Sequence, residues 1–136
     1  MGLVNTVSKV VMFMGLMSAP VMLAVGLGLM DAPAMLANAN GGAGPSKFEW
    51  ASSVSGFPVR TIFTVVAIAK FAAIADIYFL HVMPRLACIC VAVMMGVIYW
   101  GHTQVEDDLA PPIVLGAAAL VAAASWPEDG AKTKRN

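Results

Sequence analysis

Four runs of this chain are almost empty of charge, and each approaches the length a helix needs to cross a bilayer. Residues 10–30 hold no charged side chain in 21 positions. Residues 59–82 hold only Arg60 at the entry, Lys70 and Asp76 within, and His81 near the end. Residues 86–101 and 109–126 hold none. A hydrocarbon core of about 30 Å takes about 20 apolar residues as helix. A chain of 136 residues that is 60% hydrophobic and 12% charged, with a mean hydropathy of +0.81, cannot turn that much apolar surface inward. The sequence therefore predicts an all-α fold, a four-helix transmembrane bundle forming a single membrane domain. The spans are expected at about 10–30, 59–82, 86–101 and 109–126, with a polar connector at 31–56 and a charged tail at 127–136.

The remaining charges test that count independently. With four crossings, the N-terminus, the loop between spans two and three and the C-terminus share one side. That side holds Lys9, Arg85, Lys132, Lys134 and Arg135, five of the eight basic residues. The other side holds Asp31, Lys47, Glu49, Arg60, Glu106, Asp107 and Asp108, two basic residues against five acidic ones. Basic residues mark the side from which a membrane protein is inserted, so both termini are expected on the cytoplasmic, matrix or stromal side. Three crossings would set the basic tail opposite Lys9 and lose the segregation.

A formal net charge of zero and the lack of a basic face argue against nucleic acid as a partner. The run Glu106-Asp107-Asp108 reads as a solvated loop capping the next helix rather than as a cation site. Lys9, a long apolar run and then Ala32-Pro33-Ala34 or Ala37-Asn38-Ala39 follow the plan of a cleaved secretory signal. Its 21 apolar residues exceed the usual apolar core of such signals, and the segment is read as retained.

Pro20 falls within span one and predicts a kink there, because its ring removes a backbone donor. Ala24 and Gly28 form a small-xxx-small pair that would let another helix approach closely. The connector turns to Asn, Gly, Ser and Pro, with Asn38-Ala39-Asn40-Gly41-Gly42 at its centre, a composition typical of a flexible linker. Phe48, Trp50 and Phe57 in and after its second half are expected to anchor it at the membrane interface. Met83-Pro84-Arg85 is a tight connection and predicts an antiparallel hairpin of spans two and three. Pro111-Pro112 opens an Ala-rich fourth span whose Gly116, Ala119 and Ala123 suit close helix packing.

Lys70 and Asp76 are the leading candidates for chemistry, since ionisable groups within a membrane are costly and usually functional. Six residues turn a helix by about 240° and raise it about 9 Å, so the two do not face each other and each needs its own partner. The plain alternative is that both satisfy backbone or water between helices. His81 and His102 flank span three about 30 Å apart, too far to share a metal or a bis-histidine haem within one chain. A single histidine could ligate a chlorophyll magnesium, but interfacial bonding to water or headgroups is the simpler reading. Cys88 and Cys90 point about 200° apart on one helix and close neither a disulfide nor a two-cysteine metal site, so both read as small buried residues. No phosphate loop, nucleophile elbow or zinc-protease motif is present.

The order of these features carries a resemblance. A helix and a polar-aromatic connector lead through Gly56-Phe57-Pro58 into a helix bearing a lysine and an acidic residue. Met83-Pro84-Arg85, a third helix ending at Gly101-His102, an acidic loop and a Pro-opened Ala-rich helix follow. Over about residues 57–124 this resembles the DoxX-like family of small four-helix membrane proteins. That family commonly carries a glutamate after small residues on its second helix, which Ala72-Ala73-Ile74-Ala75-Asp76 would match with aspartate instead. The resemblance implies a four-helix bundle more than any one activity, its members being tied to quinone-linked oxidoreductase complexes, stress-related membrane proteins and receptor-assembly factors.

Two functions are therefore expected to compete. The first is a non-catalytic accessory subunit of a larger membrane complex, such as a respiratory or photosynthetic electron-transport assembly, with other membrane subunits and lipids as partners. An organellar inner membrane, mitochondrial or thylakoid, would be its setting. No cofactor is expected for it beyond bound lipid, with contact to chlorophyll or quinone as the alternative. The second is a quinone- or thiol-linked redox component, or a small-molecule carrier, centred on Lys70 and Asp76.

Overall fold

The computed structural model describes residues 2–33, 47–105 and 108–127. The predicted Asn-Gly centre of the connector, Glu106 and Asp107, and the basic tail lie outside the described residues. Among those described, all regular structure is helical. Helix α1 runs Leu3–Gly26, in two segments, Leu3–Leu16 and Ala19–Gly26. A short helix α2 covers Lys47–Ser55. Helix α3 runs Val59–Leu80, its last turn (Ala75–Leu80) wound as a π-helix. Helix α4 runs Pro84–Gln104 and α5 runs Ala110–Ser125.

Three of these, α1, α3 and α4, are long and apolar enough to cross a membrane. At 16 residues α5 is about 24 Å long and falls short of that length. Among the described residues the expected four-helix plan thus appears as five helices, three of them long and apolar, because part of the connector is itself helical.

The first long helix begins seven residues earlier than hydropathy suggests. Asn5 and Ser8 look like water-facing residues in sequence, yet they share a stripe with Met12 and Leu16, and all four are buried. The stripe packs along α5, where Asn5 Nδ2 donates to the Ala122 carbonyl at 3.2 Å and to Ser125 Oγ at 3.1 Å. Lys9 does not stop the helix. Its chain reaches the end of the molecule, with the ammonium 4.7 Å from the Trp126 ring centre and 5.7 Å from that of Tyr78.

Helix α1 also ends earlier than residue 30. Gly28 sits at φ +76°, where the Leu29 amide bonds the Ala24 carbonyl at 2.9 Å and the Gly28 amide bonds that of Val25 at 3.0 Å. This left-handed stop closes the helix on itself and requires glycine's freedom. Gly28 is therefore a helix terminator, and it is exposed. The Arg60 guanidinium lies over it, 3.1 Å from where a Cβ would stand, and favourably placed for a cation at a helix C-terminus.

The helices form an arc in the order α3, α1, α5, α4. The Leu3–Leu16 segment packs on α5, the Ala19–Gly26 segment packs on α3, and α4 packs most extensively on α5. The hairpin partners α3 and α4 touch only sparingly, so the tight Met83-Pro84-Arg85 turn joins two helices that then diverge. Small residues set the close approaches. A Cβ on Gly26 would fall on Thr64 Oγ1 and 2.8 Å from the Thr64 amide nitrogen, and a Cβ on Gly15 would meet Leu115 Cδ2 at 2.7 Å. Two separate cores result. One gathers Met12, Leu16, Ala73, Ile77, Cys88, Val91, Met95, Leu115 and the alanines of α5; the other gathers Met22, Val25, Phe48, Phe63 and Ala67.

Candidate functional site

Lys70 and Asp76 each bond to a point where a helix is interrupted or turned. Lys70 lies mid-way along α3, only 7% exposed, between buried Ala67 and Ala73. Its ammonium donates to Ser18 Oγ at 2.7 Å and approaches Met22 Sδ at 3.5 Å. Ser18 occupies the interruption of α1, two residues before Pro20. The proline has no N–H, so the Leu16 carbonyl loses its usual helical donor, and Met17 and Ser18 open to ψ −6° and −12°. The carbonyl end of the Leu3–Leu16 segment carries partial negative charge, which suits an ammonium drawn to that point.

Asp76 lies six residues on and serves a different element. Its carboxylate accepts the Val82 amide at 2.8 Å and the Met83 amide at 3.2 Å, while its carbonyl accepts the His81 amide at 2.8 Å. It thereby ties the π-turn to the two residues that lead into α4. His81, between them, stands in the left-handed region at φ 53°, a conformation that favours glycine. The structure thus gives Lys70 and Asp76 separate partners on separate faces, as their six-residue spacing requires.

The histidines sit at opposite ends. His81 is exposed, its ring centre 6.2 Å from that of Trp126. His102 is buried at 4% exposure, its Nδ1 2.7 Å from the Asp108 carbonyl oxygen, and it links the end of α4 to the loop that opens α5. Among the described residues no group of three or more His, Cys, Asp and Glu side chains is placed to hold a metal ion. Cys88 is buried in the larger core, but Cys90 is exposed, so the expectation of two buried cysteines holds for one only. The opposed directions on the helix account for the difference.

Phe48 stacks on Phe63 at 4.0 Å between ring centres, and Trp50 packs edge-on against Trp100 at 5.1 Å, its ring 3.4 Å from where a Gly101 Cβ would stand. Both rings of α2 therefore dock on the chain's own helices, whereas Phe57 stays 60% exposed. Ala119 and Ala123 are buried in the larger core, and Gly116 brings α5 within 3.3 Å of Met95 Cβ. Ala24 is half-buried on α1. On the outer side of α4 and α5 an open apolar groove of about 310 Å³ is lined by Met95, Gly96, Tyr99, Pro112, Ile113 and Gly116, among others.

Sequence reasoning passed over Asn5, Tyr78 and Gly26. Tyr78 donates to the Lys9 carbonyl at 2.5 Å and meets Phe13 edge-on, so it fastens α3 to α1. The signal for Asn5 was present, since Asn5, Ser8, Met12 and Leu16 recur at helical spacing with nothing charged among them. Comparison with protein-family models, with curated proteins and with solved structures returned no match.

Proposed function

We propose that this chain is a multi-pass integral membrane protein that acts by packing, as a non-catalytic accessory subunit of a larger membrane assembly. The observation that carries the reading is the use made of its intramembrane polar groups. Lys70 is bonded to Ser18 at a helix interruption, Asp76 to the Val82 and Met83 amides at a turn, Asn5 to the Ala122 carbonyl and Ser125 at a helix end. Each shapes or joins helices. What faces outward is apolar along α3, α4 and α5: Val65 and Ile68 on α3, Val93 and Val97 on α4, Val114 and Leu120 on α5, all more than half exposed. Such faces are stable only against lipid or other apolar helices.

The ends of the molecule support a membrane-spanning placement. Lys9, Tyr78, His81 and Trp126 gather at one end, and Arg60, Glu49, Trp50, Trp100 and His102 belong to elements that meet at the other. Between Lys9 and Gly28 lie about 28 Å of chain at the helical rise, close to the thickness of a hydrocarbon core. Aromatic and charged residues at both ends match interfacial belts. In this reading α5 completes a four-helix bundle, its short length offset by Pro111-Pro112 and Trp126 at its two ends. The N-terminus and the α3–α4 turn then lie on the insertion side and α2 lies opposite. An electron-transport assembly of an organellar inner membrane is the setting proposed.

A second reading keeps the DoxX-like redox or carrier role, because a lysine so deeply buried beside a thioether and a hydroxyl is a costly feature. Native mass spectrometry of the full chain, extracted from its own membrane in mild detergent, separates the two. The accessory reading expects the chain in a larger assembly at fixed stoichiometry, and Asp76→Asn to alter assembly or stability more than turnover. If instead it is isolated alone, and Lys70→Met or Asp76→Asn abolishes quinone reduction or transport in the folded protein, the second reading replaces it.

A further inference from the structure

The two cores divide the molecule along a line that crosses α1 at its interruption. The Leu3–Leu16 segment contributes Met12 and Leu16 to the larger core with α4 and α5, while the Ala19–Gly26 segment contributes Met22 and Val25 to the smaller one. Helix α3 crosses the same line. Ala67 belongs to the smaller core and Ala73 to the larger, and Lys70 stands between them. Ser18 stands at the matching point of α1, between Leu16 and Met22. The hydrogen bond from Lys70 Nζ to Ser18 Oγ therefore lies on the seam between two packing units. Beyond the seam α3 and α4 touch little, and the units meet again where Trp50 rests on Trp100 and Gly101.

We propose that this seam is a hinge, with the Met17–Ser18 interruption of α1 as its pivot and the Lys70–Ser18–Met22 contact as its latch. An interrupted helix concentrates bending where the backbone ladder is missing a bond, and here Pro20 deletes the donor for Leu16. Helix α3 crosses the seam as a continuous helix, so it bends gently there while α1 turns at its interruption. Two units each with its own apolar core move as bodies more readily than either deforms. Trp50 rests on the bare Gly101 backbone beside the edge of Trp100, a contact that lets it slide as the units rock. The smaller unit, Ala19–Gly26 with α2 and the first turns of α3, would swing against α4 and alter the opening between α3 and α4. Loss of a hydrogen bond to a charged group shifts the closed-to-open ratio about tenfold to a hundredfold.

The test is electron–electron distance measurement on the full chain in lipid nanodiscs, with Cys88 and Cys90 replaced by alanine. Spin labels go on Leu27→Cys and Val93→Cys, exposed positions in the two units, and in a second sample on Met14→Cys and Val93→Cys, both in the larger unit. Lys70→Met and, independently, Ser18→Ala should broaden the Leu27–Val93 distribution or add a second, longer population, and leave the Met14–Val93 distribution unchanged. The Ser18→Ala variant keeps the lysine and changes little volume, so it holds the test if Lys70→Met fails to fold. An unchanged Leu27–Val93 distribution in the folded variants overturns the hinge. Broadening of both distributions together overturns it as well, since that reports general loosening rather than motion at the seam.

Discussion

Replacing Asp76 gives the sharpest measure of whether the carboxylate at the end of α3 is structural. Its two oxygens hold the Val82 amide at 2.8 Å and the Met83 amide at 3.2 Å, so one side chain satisfies two donors that no helix ladder supplies. A hydrogen bond to a charged group contributes about 1.5–3 kcal/mol when shielded. Val82 and Met83 are 70% and 58% exposed, so water or headgroups can replace part of the loss, and about 1–2 kcal/mol in total is the reasonable scale for Asp76→Ala. The position at the start of α4 adds about 0.3–1 kcal/mol, since a negative charge favours a helix N-terminus. Asp76→Asn keeps one acceptor oxygen for Val82 and loses the charge, so roughly half of the alanine effect is expected. Reversible unfolding in mixed micelles, comparing wild type, Asn and Ala, reads the order directly. Equal stability of all three proteins would refute the reasoning, because the two amides would then need no carboxylate.

Other substitutions probe the remaining joints. Gly26→Ala should cost about 1–3 kcal/mol by overpacking against the Thr64 backbone, while Gly96→Ala, with open space at its Cβ, should gain rather than lose stability; thermal melts of the pair give the contrast. His81→Gly should leave stability equal or slightly higher by relieving a left-handed residue, and His81→Val should lower it by about 1–2 kcal/mol; retention of any bound pigment in His81→Gly would also dismiss this histidine as its ligand. Asn5→Ala should cost about 1–3 kcal/mol by leaving the buried Ala122 carbonyl without its side-chain donor, measurable by the same melts.

Hydropathy alone was enough to place the three long helices, because their apolar runs are long enough to cross a bilayer. It failed at their ends. Asn5 and Ser8 point at α5 rather than at water, a fact about a partner helix more than 100 residues away in the chain. Gly28 had the spacing of a packing residue with Ala24, but its role depends on a backbone dihedral that composition does not reveal. The six-residue spacing of Lys70 and Asp76 correctly separated them, since helical geometry is local. Their partners did not follow from sequence, because Ser18 and the Val82–Met83 amides become neighbours only once α1 and α4 are in place. Chemistry alone marks Phe48 and Trp50 as interfacial anchors, and sequence gives no sign that their shapes are matched by Phe63 and by the bare Gly101 on the same chain.

The membrane-spanning account is tested most directly by sided labelling of single cysteines at Gly2, Ser53 and Pro127, in the Cys88→Ala, Cys90→Ala background and in sealed vesicles. All three positions are exposed, the first and last at one end of the molecule and Ser53 on α2 at the other. The account expects an impermeant maleimide to modify Gly2→Cys and Pro127→Cys from one face of the membrane and Ser53→Cys only from the opposite face. Modification of all three from the same face, or release of the chain from the membrane by alkaline carbonate, would contradict it.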